Sequence, residues 1–299
     1  MSLTVLLVLF VVINVLLKIL QKFCSATVTM GGRAKYTLYF LTTSVVACGF
    51  FYAFSGFRLA INLTTTIYGL IYAIIVFVSL ISALLVYNYG TVSTVNIISN
   101  AGIMILGPIF GKLIFSETFD WLRLVRIGLM LVAVALVFLD SRSEDKANKP
   151  SKKNTFTLAI LIGINVLSVV LNTVLCKHYT LSPTATDENS MFFMTNVFLT
   201  IGAVGVLTFD FIKGNANPKE TAKILTVKNL GLWLGSIFCS NMSSILGIWL
   251  LEIMDVTVYT PVSSAVIIIA ALVTSVFLRE KVGFFSYLSA AVACVAMFI

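Results

Sequence analysis

Apolar residues gather into ten long runs along the chain: Leu3–Leu20, Tyr36–Phe54, Thr65–Tyr87, Val92–Phe115, Trp121–Leu139, Phe156–Cys176, Met191–Phe209, Leu230–Leu251, Val256–Leu278 and Phe284–Ile299. Every run but the last is long enough to cross a hydrocarbon core of about 30 Å at about 1.5 Å per residue. Lipid offers no partner to backbone N–H and C=O groups, so runs of this kind must be helices, whose hydrogen bonds close within the segment. The runs are continuous and do not alternate in polarity, which excludes a β-barrel. The pattern predicts an all-α membrane protein of ten transmembrane helices. The first run has neither the basic start nor the small-residue cleavage site of a signal peptide, and it reads as a retained helix.

Composition narrows the classes. The chain is 59% hydrophobic and 11% charged, against roughly 45–50% and about 25% in an ordinary soluble domain. So few charges cannot clothe a soluble enzyme, a nucleic-acid-binding module or a disordered chain in water. The five cysteines, Cys24, Cys48, Cys176, Cys239 and Cys294, show no CxxC spacing and read as buried thiols, not as a metal site or a disulfide frame.

One segment breaks the hydropathy pattern. Asp140–Asn154 reads DSRSEDKANKPSKKN, a polar linker between halves of nearly equal size. The halves share features. At an offset of 163, Glu117 falls on Glu280, the run after Trp121 falls on the run after Phe284, and Val95, Ala101 and Gly102 fall on Val258, Ser264 and Ala265. Near the start of each half, Val-Leu-Leu-Lys ending at Lys18 matches Val-Leu-Cys-Lys ending at Lys177. Five helices per half, an odd number, place the second half upside down relative to the first. The domain plan is therefore residues 1–140 and 155–299 as two inverted five-helix repeats joined by linker 141–154, an arrangement characteristic of secondary transporters with a substrate site near the midplane.

The net charge of +8 then becomes a topology signal. With each Lys and Arg assigned to its nearest connection, fifteen of the 20 fall on connections 1–2, 3–4, 5–6, 7–8 and 9–10, and five on the others. The first set is expected to be cytoplasmic, with both termini outside.

The stretch GKLIFSETFDWLRLVRIGLMLVAVALVFL and its partner TSVFLREKVGFFSYLSAAVACVAMFI resemble the paired helix–Glu–helix endings of the drug/metabolite transporter superfamily, in its EamA-like branch. The resemblance extends to the ten-helix plan. It implies alternating access around a central cavity lined by the first, third and fourth helices of each half. It also implies a substrate drawn from the amino acid, nucleoside or nucleotide-sugar, or drug-like classes. Members are drawn with cytosolic termini, opposite to the orientation that the charges favour, and the basic loop usual after the second helix is reduced here to Arg58.

Polar side chains inside apolar runs are the candidate substrate contacts, because burying one unpaired is costly. Asn165, Ser168 and Asn172 share one helix face, as do Asn96, Ser99 and Asn100, whose repeat partners include Tyr259 and Ser263. Asn241 and Ser244, Tyr72 and Ser79, and Asn14 one turn before Lys18 complete the set. The competing reading is interhelical hydrogen bonding, and for Ser236, Ser240 and Ser244 close helix packing. Glu117 and Glu280 each stand just before the next helix, where a carboxylate favours that helix's N-terminus or joins a gating salt bridge, for example Glu280 with Arg279 or Lys281. Glu252 and Asp255 flank a connection and read as solvated. Pro108 and Pro261 each remove a helix hydrogen bond and are candidate hinges. Lys18, Lys112 and Lys177 lie in or beside apolar runs, where they either snorkel to the interface or bind an anionic substrate.

The function that fits is a secondary transporter of a small polar or amphipathic metabolite in the plasma membrane. Its partners would be that small-molecule substrate and the lipid bilayer, with no nucleic acid, no metal and no cofactor; a homodimer is left open. The alternatives are a membrane receptor or assembly protein without transport, and a membrane-embedded enzyme. The only histidine, His178, is interfacial, and no HExxH motif, carboxylate cluster or nucleophile elbow is present to support the enzyme.

Overall fold

The computed structural model describes residues 3–28, 32–86, 92–118, 120–144, 152–214, 226–277 and 283–298. Among the described residues the chain forms ten α-helices and no strand: α1 (Leu3–Val28), α2 (Gly32–Phe54), α3 (Leu63–Val86), α4 (Val92–Phe115), α5 (Trp121–Glu144), α6 (Lys152–Leu181), α7 (Glu188–Ile212), α8 (Val227–Ile253), α9 (Val256–Phe277) and α10 (Phe284–Phe298). Each apolar run is one helix. The polar linker is shorter than its composition suggests, because α5 runs on to Glu144 and α6 starts at Lys152.

Five helices are long and apolar enough to cross a membrane: Leu3–Leu20 in α1, Thr37–Phe54 in α2, Ala159–Leu181 in α6, Glu188–Ile212 in α7 and Asn229–Ile253 in α8. Shorter apolar segments occupy α3, α4, α9 and α10. The hydropathy pattern predicts ten spans, and five meet this measure among the described residues. The surface of α1 suits a lipid environment. Val12 and Leu16 are 48% and 45% exposed, while the polar Asn14 between them is 8% exposed. Water would favour the reverse.

The chain forms two compact units, one from Met1–Val11, Ile75–His178 and Trp249–Ile299, the other from Val12–Ile74 and Tyr179–Ile248. Each unit draws on both sequence halves. The unit boundaries fall inside α1 and α6, the first helices of the halves, and inside α3 and α8, the third helices.

The first unit is organised around α4. Ile103 of α4 shares a buried cluster with Ile162, Val166, Val170 and Val174 of α6, which are spaced by four along one face of that helix, and Leu106, Phe110 and Phe115 extend the cluster along α4. Gly102 lets the backbones approach; a Cβ there would lie 2.9 Å from the Val166 methyls. Polar bonds tie α5 to α10: Ser289 Oγ donates to the Ala133 carbonyl at 2.8 Å and Arg126 Nε to the Ala296 carbonyl at 3.2 Å.

In the second unit α2 and α7 pack along their length, with Phe51 stacked on Phe192 at 5.1 Å and the Cys48 thiol against the Phe193 carbonyl. Trp233 of α8, fully buried, meets Tyr39 edge-on at 4.9 Å. Gly69 of α3 sits against α7, where a Cβ would lie 3.2 Å from the Thr195 backbone nitrogen.

Candidate functional site

Several helix starts are capped from within their own loops. Asn62 Oδ1 accepts the Thr65 N–H at 2.7 Å, Asp120 Oδ1 the Arg123 N–H at 3.0 Å, and Asp187 Oδ1 the Ser190 N–H at 2.7 Å. These are the short polar side chains that favour this position.

Helix α9 departs from that pattern. Asp255 precedes it, yet the N–H groups of Val256 and Thr257 donate to Oε1 and Oε2 of Glu117, each at 2.8 Å. Glu117 is 9% exposed and comes from the α4–α5 connection. The expectation that it serves the next helix is corrected: its charge complements the positive end of α9, not of α5. Asp255 is corrected too. It is half-buried, and its carboxylate receives Arg123 Nη2 at 2.6 Å. Arg123 Nη1 donates to Thr257 Oγ1 and to the Thr118 carbonyl, both at 2.8 Å.

The other side of the same turn is held by Lys177. Its ammonium is buried and donates to the carbonyls of Leu251 at 2.5 Å and Met254 at 3.0 Å, which lie at the end of α8, where helical partners run out. Three charged side chains from α6, α5 and the α4–α5 connection thus fix the α8–α9 turn within the first unit.

Glycines set how closely α4 meets this turn. Gly107 and Gly111 form a GxxxG spacing. A Cβ on Gly111 would fall 2.7 Å from Glu117 Oε2 and 2.9 Å from the Thr257 methyl, and one on Gly107 would collide with Thr260. Pro108 and Pro261 are both buried, and α4 and α9 run continuously through them.

The other sequence candidates divide by unit. In the first, Asn165 Nδ2 donates to the carbonyl and hydroxyl of Ser79, each at 3.3 Å. Asn172 Oδ1 and the hydroxyls of Ser99 and Ser264 are buried without a hydrogen-bond partner among the described residues. Ser263 bonds back to the Thr260 carbonyl at 3.0 Å, and Tyr259 is half-buried. In the second unit, Asn14 Nδ2 donates to Ser243 Oγ at 3.0 Å. Asn241 is 8% exposed, with Nδ2 lacking a partner among the described residues, and Tyr72 packs edge-on to Phe192 at 5.8 Å. The side chains of Asn96 and Asn100, and Glu280 entirely, lie outside the described residues, as do Arg279 and Lys281.

Sequence reasoning misses several groups. Thr65, fully buried, bonds Tyr179 Oη at 3.1 Å and Thr186 Oγ1 at 2.8 Å, tying the start of α3 to the α6–α7 connection. Asp210 is buried in the last turn of α7. Arg123 is, by sequence, only a charge to be counted. The GxxxG spacing is legible; the pairings of Arg123 and Thr65 join residues more than a hundred positions apart and leave no local signal. Among the described residues no group of three His, Cys, Asp or Glu is placed to hold a metal ion.

No family model matches the sequence, and no curated protein matches it. Among solved structures, a crystal structure of another protein matches 98% of this chain and 96% of its own, with a TM-score of 0.63 and 10% sequence identity. At that identity the likeness is one of fold alone, extended over nearly the whole chain.

Proposed function

We propose that the chain is an integral membrane protein of ten spans, built as two inverted five-helix repeats, that carries a small polar or amphipathic metabolite across the plasma membrane by alternating access. The observation that carries this reading is that both halves divide between the same two compact units, with the breaks in the first and third helix of each half: Val12–Ile74 and Tyr179–Ile248 form one unit and the remainder the other. A duplicated, inverted architecture is the usual framework of secondary transporters. The resemblance to the EamA-like branch points the same way, and the buried Asn and Ser side chains without partners among the described residues supply donors and acceptors for a polar solute.

The cluster at the α8–α9 turn suits a closing contact in such a cycle. Glu117 and Lys177 are buried, whereas the Arg123–Asp255 pair is partly open to solvent, with side-chain exposures of 16% and 42%. The buried pair anchors the turn and the exposed pair is the part that can open.

Counterflow in proteoliposomes tests the reading. Vesicles preloaded with a metabolite pool should accumulate labelled solute in a saturable, protein-dependent way. Purified, folded protein that exchanges no solute from a broad library would favour a receptor or assembly role instead.

A further inference from the structure

Within the first unit, α6 has three distinguishable sides. Val166, Val170 and Val174 form the row turned toward α4, with Gly102 against Val166. Ile160, Ile164 and Leu167 are exposed and mark the lipid side. Asn165, Asn172 and Cys176 fall together on the remaining side. That side looks inward, because Asn165 Nδ2 reaches Ser79 of α3 and Cys176 is buried.

Helix α9 meets the same side. The Tyr259 hydroxyl lies within electrostatic reach of the Cys176 thiol. On α4, Gly107 meets Thr260 and Gly111 meets Thr257, so α9 runs antiparallel to α4. Helix α6 runs parallel to α4: Val166 lies beside Gly102, and further on Lys177 reaches the α8–α9 turn that Glu117, just past the end of α4, also holds. Helices α6 and α9 are therefore antiparallel. Asn172, one turn before Cys176, lies level with Ser263, one turn after Tyr259. Tyr259 and Ser263 share a face of α9 that is distinct from the Thr257 and Thr260 side meeting α4. Tyr259 is deep in the protein yet only half-buried. A side chain surrounded by protein that keeps accessible surface borders an internal space.

The groups around that space are mostly acceptors. Asn172 Oδ1 is buried and has no partner among the described residues. Ser263 spends its proton on the Thr260 carbonyl and presents its oxygen. Tyr259 Oη can donate or accept. The charged side chains of the α8–α9 turn, where α6 and α9 come together, are already engaged: Lys177 with carbonyls, Arg123 with Asp255 and Glu117 with N–H groups. A charged ligand would enter without a counter-charge, which is costly in such surroundings. A hydroxyl group satisfies the open acceptors without bringing a charge.

We infer that Asn172, Tyr259 and Ser263 form a binding site for an uncharged solute that donates hydrogen bonds through hydroxyl groups: a sugar, polyol or nucleoside. Carriage of that solute rests on the transport reading; its binding does not.

The test uses the full chain in a zwitterionic detergent without hydroxyl groups, because a sugar-headed detergent would compete for the site. Glucose, mannitol and adenosine are titrated against thermal unfolding, with succinate and putrescine as anionic and cationic controls. At least one neutral compound should raise Tm saturably, and neither control should. Asn172→Leu should weaken that compound about tenfold and Tyr259→Phe about threefold, the loss of one hydrogen bond in each case. The unliganded Tm of Asn172→Leu should equal or exceed that of the wild type. Any of three results overturns the site: no neutral compound binding saturably, saturable binding of a charged control alone, or both variants holding the neutral compound within twofold of wild type. Counterflow in phosphatidylcholine vesicles separates the two readings. Neutral-solute binding that depends on Asn172 without exchange refutes transport and keeps the site. Saturable exchange of a charged solute, unchanged in Asn172→Leu and Tyr259→Phe, refutes the site and keeps transport.

Discussion

Glu117 and Thr257 are 140 positions apart, and the Thr257 backbone N–H donates to the Glu117 carboxylate at 2.8 Å with the Val256 N–H on the second oxygen. A helix that begins inside a packed unit has no water for its first donors, so the cap must come from another element. Glu117→Ala removes both acceptors, and each orphaned N–H costs about 1–3 kcal/mol. Glu117→Gln keeps one carbonyl oxygen and turns an NH2 toward the other donor, so its loss should be intermediate. Tryptophan-fluorescence unfolding in detergent should rank wild type above Gln and Gln above Ala. Three equal Tm values would show that the cap contributes nothing.

Gly107 and Gly111 face that turn without side chains. Ala at either site would drive a methyl into Thr260, or into Glu117 and Thr257, and forcing apart a packed contact costs about 1–3 kcal/mol. Gly128 in α5 and Gly163 in α6 have open space around them, with nothing within 4 Å of where a Cβ would stand. Ala there should be neutral or gain about 0.5–1 kcal/mol from helix propensity. A four-variant thermal series checks the contrast, and Gly111→Ala as stable as Gly128→Ala would refute it.

The helices are legible in the sequence because lipid demands long uninterrupted apolar runs, a signal that survives without tertiary information. All ten runs form helices. The charged residues are less legible. Asp255 reads as solvated because it lies in a short connection, but its pairing with Arg123 depends on packing between α5 and the α8–α9 turn. For Glu117 the sequence points to the right kind of feature, a helix N-terminus, on the wrong helix, because sequence proximity favours α5 whereas the fold brings α9 nearer. Lys18 and Lys177 are equal in sequence, and only the carbonyls at the end of α8 distinguish them.

Arg123 should matter more than Asp255. Its guanidinium also serves Thr257 Oγ1 and the Thr118 carbonyl, so Arg123→Ala strands three acceptors while Asp255→Ala removes a single acceptor. The ion pair itself should show a coupling of no more than about 1 kcal/mol in a double-mutant cycle, because Asp255 is 42% exposed and screened. Arg123→Lys keeps the charge but loses the fork and should fall between wild type and Ala. An Asp255→Ala loss equal to that of Arg123→Ala would place the energy in the pair alone.

Removing the Lys177 ammonium should destabilise the chain. Lys177→Met keeps the length and leaves the Leu251 and Met254 carbonyls without their donor. A drop of about 1–3 kcal/mol is expected for these buried acceptors, read as a lower Tm and a lower monodisperse yield in detergent. Lys177→Arg should recover part of it. A Lys177→Met protein as stable as wild type would remove the capping role and restore the parity of the two lysines.

Asn165 and Asn172 share a face of α6 two turns apart, and they separate structure from function. Asn165 has its partner in Ser79, so Asn165→Leu should cost about 0.6 kcal/mol, the average for an interhelical hydrogen bond in a membrane. The Asn172 carbonyl oxygen is buried without a partner among the described residues, so Asn172→Leu relieves a desolvated acceptor and should raise Tm. If that acceptor is kept for a solute donor, the same substitution should raise the KM for counterflow about tenfold, the loss of one hydrogen bond worth about 1.4 kcal/mol. A variant more stable than wild type yet poorer in transport has one economical explanation, that the polar group is retained for the ligand. Higher Tm with unchanged KM would instead leave Asn172 outside the transport site.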